Sequence, residues 1–149
     1  MNLTSKRKGF TLVEVLLVIV IIAILAGIVI VAINPARQIS QANNTQRDAD
    51  VKAVLDAVHE YAIDNRGALP TGITTTATVV GSGTGQIDIC SDLVPTYLAE
   101  MPADPTATGA AYTDCTTYNT GYNISQSADS RVTVAAPSAE LSETISVTR

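Results

Sequence analysis

Val15–Ile33 reads VLLVIVIIAILAGIVIVAI, without one charged or strongly polar side chain, and it follows directly on Lys6-Arg7-Lys8-Gly9-Phe10-Thr11-Leu12-Val13-Glu14. A run of about nineteen apolar residues comes close to the ~20 that span a bilayer as a single helix. Three cations precede it with no acid among them, so the positive-inside rule places residues 1–9 in the cytoplasm and the C-terminal part outside. A cleavable secretory signal would carry an apolar stretch of about 7–15 residues followed by small residues at the cut. This run is longer, and Ile24-Leu25-Ala26 lacks the small residue wanted two positions before such a cut. A plain single-pass anchor fits the hydropathy but leaves Glu14 unexplained. A carboxylate at the head of an apolar helix either marks a specific partner or sits at the interface, where the helix dipole favours negative charge.

The residues around Glu14 decide between these. The basic leader ending in Gly9, then Phe10-Thr11-Leu12-Val13-Glu14 running into the apolar helix, resembles the leader and cleavage motif of type IV pilins and type II secretion pseudopilins. The resemblance implies that a membrane aspartic peptidase, the prepilin peptidase, cuts between Gly9 and Phe10 and N-methylates Phe10. It also implies that Glu14 directs assembly. Cleavage leaves an ammonium on Phe10, and among packed apolar helices an unpaired charge costs several kcal/mol unless a neighbouring carboxylate compensates it. The partners so implied are the peptidase, other copies of the subunit and an assembly platform, with the membrane as host before assembly.

Asn34-Pro35 follows the apolar run. Proline removes a helical hydrogen bond and disfavours helical geometry just before it, so a kink or local melting is expected between Gly27 and Pro35. Helical periodicity resumes beyond Pro35, with Val51, Val54, Leu55, Val58, Tyr61 and Ala62 on one stripe. Asp48–Lys52 and Lys52–Asp56 are spaced as i,i+4 pairs, and Gly67 with Pro70 gives the stop. Four regions result: a leader at 1–9, a transmembrane and polymerisation helix at 10–34, an amphipathic helix at 35–66, and a head at 67–149.

In the head, Thr71–Gln86 reads as a Thr- and Gly-rich loop with a short extended run at Thr76–Val80, and Asp92–Glu100 as a helical turn. Extended segments follow near Tyr112–Thr116, Gly121–Ser125, Arg131–Ala135 and Thr144–Val147. Short strands with short connections favour an antiparallel meander. The expected fold is α+β: a long N-terminal, membrane-spanning helix packed against a small antiparallel β-sheet head, as in pilins. Cys90 and Cys115 are the only cysteines and both lie in the exported part, where a disulfide is the expected state.

Tyr97-Leu98-Ala99-Glu100-Met101-Pro102-Ala103-Asp104-Pro105 resembles a segment of major type II secretion pseudopilins, which bind calcium in the loop that follows. Asp104 and Asp114 are the carboxylates on hand to ligate it. The Trp-Gly usual after Asp-Pro in that family is replaced by Thr106-Ala107-Thr108-Gly109, so both are read as turn and surface groups and no cofactor is expected.

The charge balance narrows the functional classes. The chain carries 9 basic and 14 acidic side chains; without the leader, six basic residues remain and the net charge is −8. Phosphate binding needs clustered Lys and Arg, so direct nucleic-acid binding is not expected. No phosphate loop, metal-ligand cluster or nucleophile–base set is present, and one histidine leaves no Ser-His pair, which argues against an enzyme. The leading expectation is a structural subunit of a type IV pilus or similar surface filament. A major pseudopilin of a type II secretion-like system is the alternative within that class, and a membrane-anchored extracellular binding domain the alternative outside it. The disulfide and the missing Trp-Gly favour the pilus; the Tyr-Leu to Asp-Pro segment favours the pseudopilin.

Overall fold

The computed structural model describes residues 9–149, so the leader reading, apart from Gly9, falls outside the described residues. The chain divides after Gln38 into two compact units.

The first unit is dominated by α1, Leu12–Ile33, which has no buried residue and is long and apolar enough to cross a membrane. At 22 residues it is about 33 Å long, the thickness of a hydrocarbon core. The helix is unbroken through Gly27, where a Cβ would meet nothing within 4 Å. The interruption falls on one residue, Asn34, in the left-handed region at φ 47°. Asn34 closes α1 and opens α2, Pro35–Asp64: its carbonyl accepts from the Arg37 and Gln38 amides, and its Oδ1 accepts from Arg37 at 3.3 Å. Pro35 stands at the first helical position, where the missing N–H costs nothing.

In the second unit, α2 buries Asn44, Arg47, Val51, Val54, Leu55, Ala57 and Val58, a stripe that is apolar in its second half and polar in its first. Tyr61 and Ala62 are only half-buried. Of the two spaced ion pairs, Lys52–Asp48 forms at 2.5 Å, while Asp56 turns to Arg149 instead. Left-handed Arg66 and Gly67 end the helix.

The sheet is antiparallel and centred on β3. Its strands are β1 (Thr78–Gly81), β2 (Ala111–Asp114), β3 (Thr117–Gln126), β4 (Val132–Ala136) and β5 (Ile145–Thr148), with the short helix α3 (Cys90–Leu93) between β1 and β2. β2 to β5 form the expected meander of consecutive pairings, but β1 joins β3 out of sequence. The extended run expected at Thr76–Val80, within the stretch read as a loop, is strand β1 at Thr78–Gly81, and its pairing with β3 out of sequence is what departs from the simple meander. Tyr118, Thr120, Tyr122 and Ile124 alternate inward from β3; the tyrosines and Ile124 meet Val132 and Val134 of β4 and the apolar stripe of α2 in one buried cluster, and the Thr120 hydroxyl donates to the Val80 carbonyl. The alternation passes Gly121 at φ 74°, where a Cβ would stand 3.0 Å from Ala107 Cβ and 3.1 Å from Asp104 Cβ. Only glycine lets the Asp104 loop lie this close to the strand.

Cys90 and Cys115 form a disulfide, Cα to Cα 5.2 Å, that ties α3 to the β2–β3 turn. Tyr118 reinforces the same junction: its hydroxyl accepts from the Ile89 and Cys90 amides and donates to Asp88 Oδ1 at 2.8 Å. Burial and the neighbouring Asp88 carboxylate push the Tyr118 pKa well above the ordinary phenol value, so it holds its proton.

Candidate functional site

Two polar constellations stand out, one in each unit. The first is at the start of α1. Gly9 and Phe10 are exposed, Phe10 at 86%, and the backbone enters the helix extended at Thr11. Thr11 Oγ1 accepts from the Glu14 amide at 3.2 Å, and Glu14 Oε2 accepts from the Thr11 amide and hydroxyl at 2.9 Å each. This reciprocal capping box satisfies two N-terminal amides that no intrahelical carbonyl can reach. The Glu14 side chain is thereby folded back onto its own helix end, and among the described residues Oε1 has no hydrogen-bond partner. Sequence reasoning weighed Glu14 against the helix dipole but missed Thr11 as its partner. The Thr-x-x-Glu spacing ahead of an apolar run carries that signal.

The second constellation is the buried cation of the head. Arg47 is fully buried on α2, with Nε 2.8 Å from Asp104 Oδ2 and Nη2 3.2 Å from Asp104 Oδ1, a two-pronged pair. Its Nη1 donates to Asn44 Oδ1 at 2.8 Å and Glu140 Oε2 at 2.9 Å. The Glu140 carboxylate also accepts from Ser40 and Asn43, and Asn44 brackets the Glu140 backbone, accepting from its amide and donating to its carbonyl. Asn44 Nδ2 donates to Glu143 as well. One helix face thus holds two loops, at Asp104 and at Glu140.

These contacts move the carboxylates' acidities. For Asp104 burial pushes the pKa up, but Arg47 and the Thr106 and Ala107 amides outweigh it and leave the group below its ordinary value. Glu140 is lowered by Asn43, Arg47 and Ser40. Asp50 goes the other way: burial raises it, opposed by the Tyr122 hydroxyl that donates to it at 2.7 Å.

Asp104 and Asp114 do not come together as a calcium site. Both Asp104 oxygens face Arg47, so the cation at this position is a guanidinium; Asp114 is exposed and caps the β2–β3 turn through Thr116 and Thr117. Among the described residues no group of three His, Cys, Asp or Glu side chains is placed to hold a metal. Arg47 was not singled out from sequence, although its spacing from Asn44 and Val51 continues the helical stripe.

Comparison with known proteins adds to this geometry. Residues 4–30 match the model of the prokaryotic N-terminal methylation motif. The chain is 32% identical over 100 residues to type II secretion system core protein G of Pseudomonas aeruginosa, covering 67% of this chain and 68% of that protein. It is 30% identical over 105 residues to the protein of the same name from Escherichia coli, covering 70% of each. No solved structure matches.

Proposed function

We propose that this chain, which belongs to the pilin and pseudopilin family, is the major filament subunit of a type II secretion-like system. It is a structural subunit with a membrane-spanning N-terminal helix, and not an enzyme. Sequence features alone rank a type IV pilus first; the similarity to two type II secretion core proteins, together with the Tyr97–Pro105 segment, supports the pseudopilin instead.

In this reading a prepilin peptidase cuts the exposed Gly9–Phe10 bond on the cytoplasmic side and methylates the new amine. The subunit waits in the membrane with its head outside, and an assembly platform lifts it into the filament. The observation that carries the reading is the Glu14 carboxylate at the start of an uninterrupted apolar helix. In the waiting subunit Thr11 satisfies it; on assembly the ammonium of a neighbour's Phe10 takes over, and the pairing sets the axial register. Asn34-Pro35, already non-helical at one residue, is the place where the helix yields on packing.

The test is the intact mass of the mature protein from sheared filaments, for wild type and Glu14→Ala. A wild-type N-terminus at methylated Phe10, with the variant processed but missing from filaments, supports the reading. An uncut chain absent from filaments leaves a simple membrane anchor, which needs neither Gly9 nor Glu14, and a variant that assembles normally overturns the role given to Glu14.

A further inference from the structure

A guanidinium carries five N–H groups, and in Arg47 each of the five meets an oxygen. Both oxygens of Asp104, Asn44 Oδ1, Glu140 Oε2 and Thr106 Oγ1 converge on it. These oxygens come from α2, from the loop between α3 and β2, and from the loop between β4 and β5, all within the second unit. Arg47, Asp104 and Asn44 are buried, while Glu140, its side chain 30% exposed, and Thr106 form the rim that water reaches. Two carboxylates face one guanidinium, so the cage is one positive charge short of neutral. Carboxylates, a side-chain amide carbonyl, a hydroxyl and water at an open rim are the hard oxygen ligands that calcium takes.

We propose that this cage is a hard-cation site whose cation is supplied by the chain itself: the head closes without calcium, and a chain stripped of the guanidinium binds the divalent ion in its place. The proposal stands apart from the filament reading. The calcium that the resemblance at Tyr97–Pro105 implies finds no free oxygen on Asp104, because both are engaged by Arg47. A tethered guanidinium ties the same two loops to α2 as a metal would, but neither dilution nor a chelator removes it. Calcium draws its oxygens to about 2.3–2.6 Å from one centre, closer than a guanidinium can gather them. The Asp104 and Glu140 loops therefore move inward when the ion takes over, while Asn44 stays on its helix.

The experiment is urea unfolding of the detergent-solubilised full chain in millimolar calcium and in chelator, for wild type, Arg47→Ala and Arg47→Met. The wild-type midpoint should be the same in both buffers. Arg47→Ala should have a much lower midpoint in chelator and recover most of that loss in calcium. Magnesium should restore less, because its smaller octahedral shell demands oxygens still closer in. Arg47→Met, which fills the cage with an apolar chain, should stay low in every buffer, and Asp104→Asn added to Arg47→Ala should abolish the recovery. A wild-type midpoint that rises with calcium overturns the self-supplied cation. An Arg47→Ala chain that stays weak or unfolded in calcium, or a calcium response equally large in Arg47→Met, overturns the cage as a cation site.

Discussion

Thr11 supplies both groups that bind Glu14 Oε2, its amide and its hydroxyl, so one substitution tests how far the carboxylate depends on them. Thr11→Ala should weaken the start of α1 by about 1 kcal/mol, the usual worth of an N-cap side chain, and Thr11→Ser should preserve it. Amide exchange at Val13 and Glu14 in detergent micelles reads this directly. Arg47→Ala should be far more damaging. It strands a buried Asp104 carboxylate, and removing one partner of a buried pair costs roughly 3–5 kcal/mol, a large part of a small domain's stability. Urea unfolding of the detergent-solubilised chain should show the midpoint collapse. Arg47→Lys should not rescue it, because an ammonium cannot reproduce the fork that grips Asp104. At this scale legibility was uneven. Glu14 announced itself as an acid against an apolar run, whereas Arg47 looked like any helical arginine, since its partners lie 57 and 93 residues away.

The elements were easier to read than their pairings. Uninterrupted apolarity marked α1, and the spacing of Val51, Val54, Leu55 and Val58 marked the buried face of α2. The extended segments read from sequence gave all five strands nearly in place, but the pairing of β1 with β3, some forty residues on, lies beyond what a local pattern holds. The break expected between Gly27 and Pro35 falls on Asn34, whose side chain accepts from the Arg37 amide in the first turn of α2. The disulfide joins two elements that are otherwise connected through Tyr118. Reduction should therefore lower stability by about 3 kcal/mol, from the freed 25-residue loop, without dissolving the α3 junction. A lowered urea midpoint with unchanged far-ultraviolet circular dichroism is the expected result.

Across the whole molecule the carboxylates set opposing responses to pH. Asp104 and Glu140 have lowered pKa values in the folded chain, so their stabilisation is complete above the ordinary carboxylate range and is lost as pH falls through it. Asp50 has a raised value, so its contribution is complete below that range and declines as pH rises towards its folded pKa. Asp50→Asn should remove the second effect alone. Its urea midpoint should equal or exceed wild type at pH 7 while the acid limb remains.

The double grip of Arg47 also bears on how the chain is made. Arg47 precedes its partners in the chain by 57 and 93 residues, so a chain delivered N-terminus first exposes the arginine long before Asp104 or Glu140 emerges. The head therefore cannot close until its tail has been delivered. Its fold is finished by long-range contacts, which are slow to form. A chain broken off before Glu140 keeps α2 and most of the sheet but leaves the charge of Asp104 and Arg47 without its third member. Closure of the head is thus the last event of its delivery, set by a side chain that waits on α2 for a loop made 93 residues later.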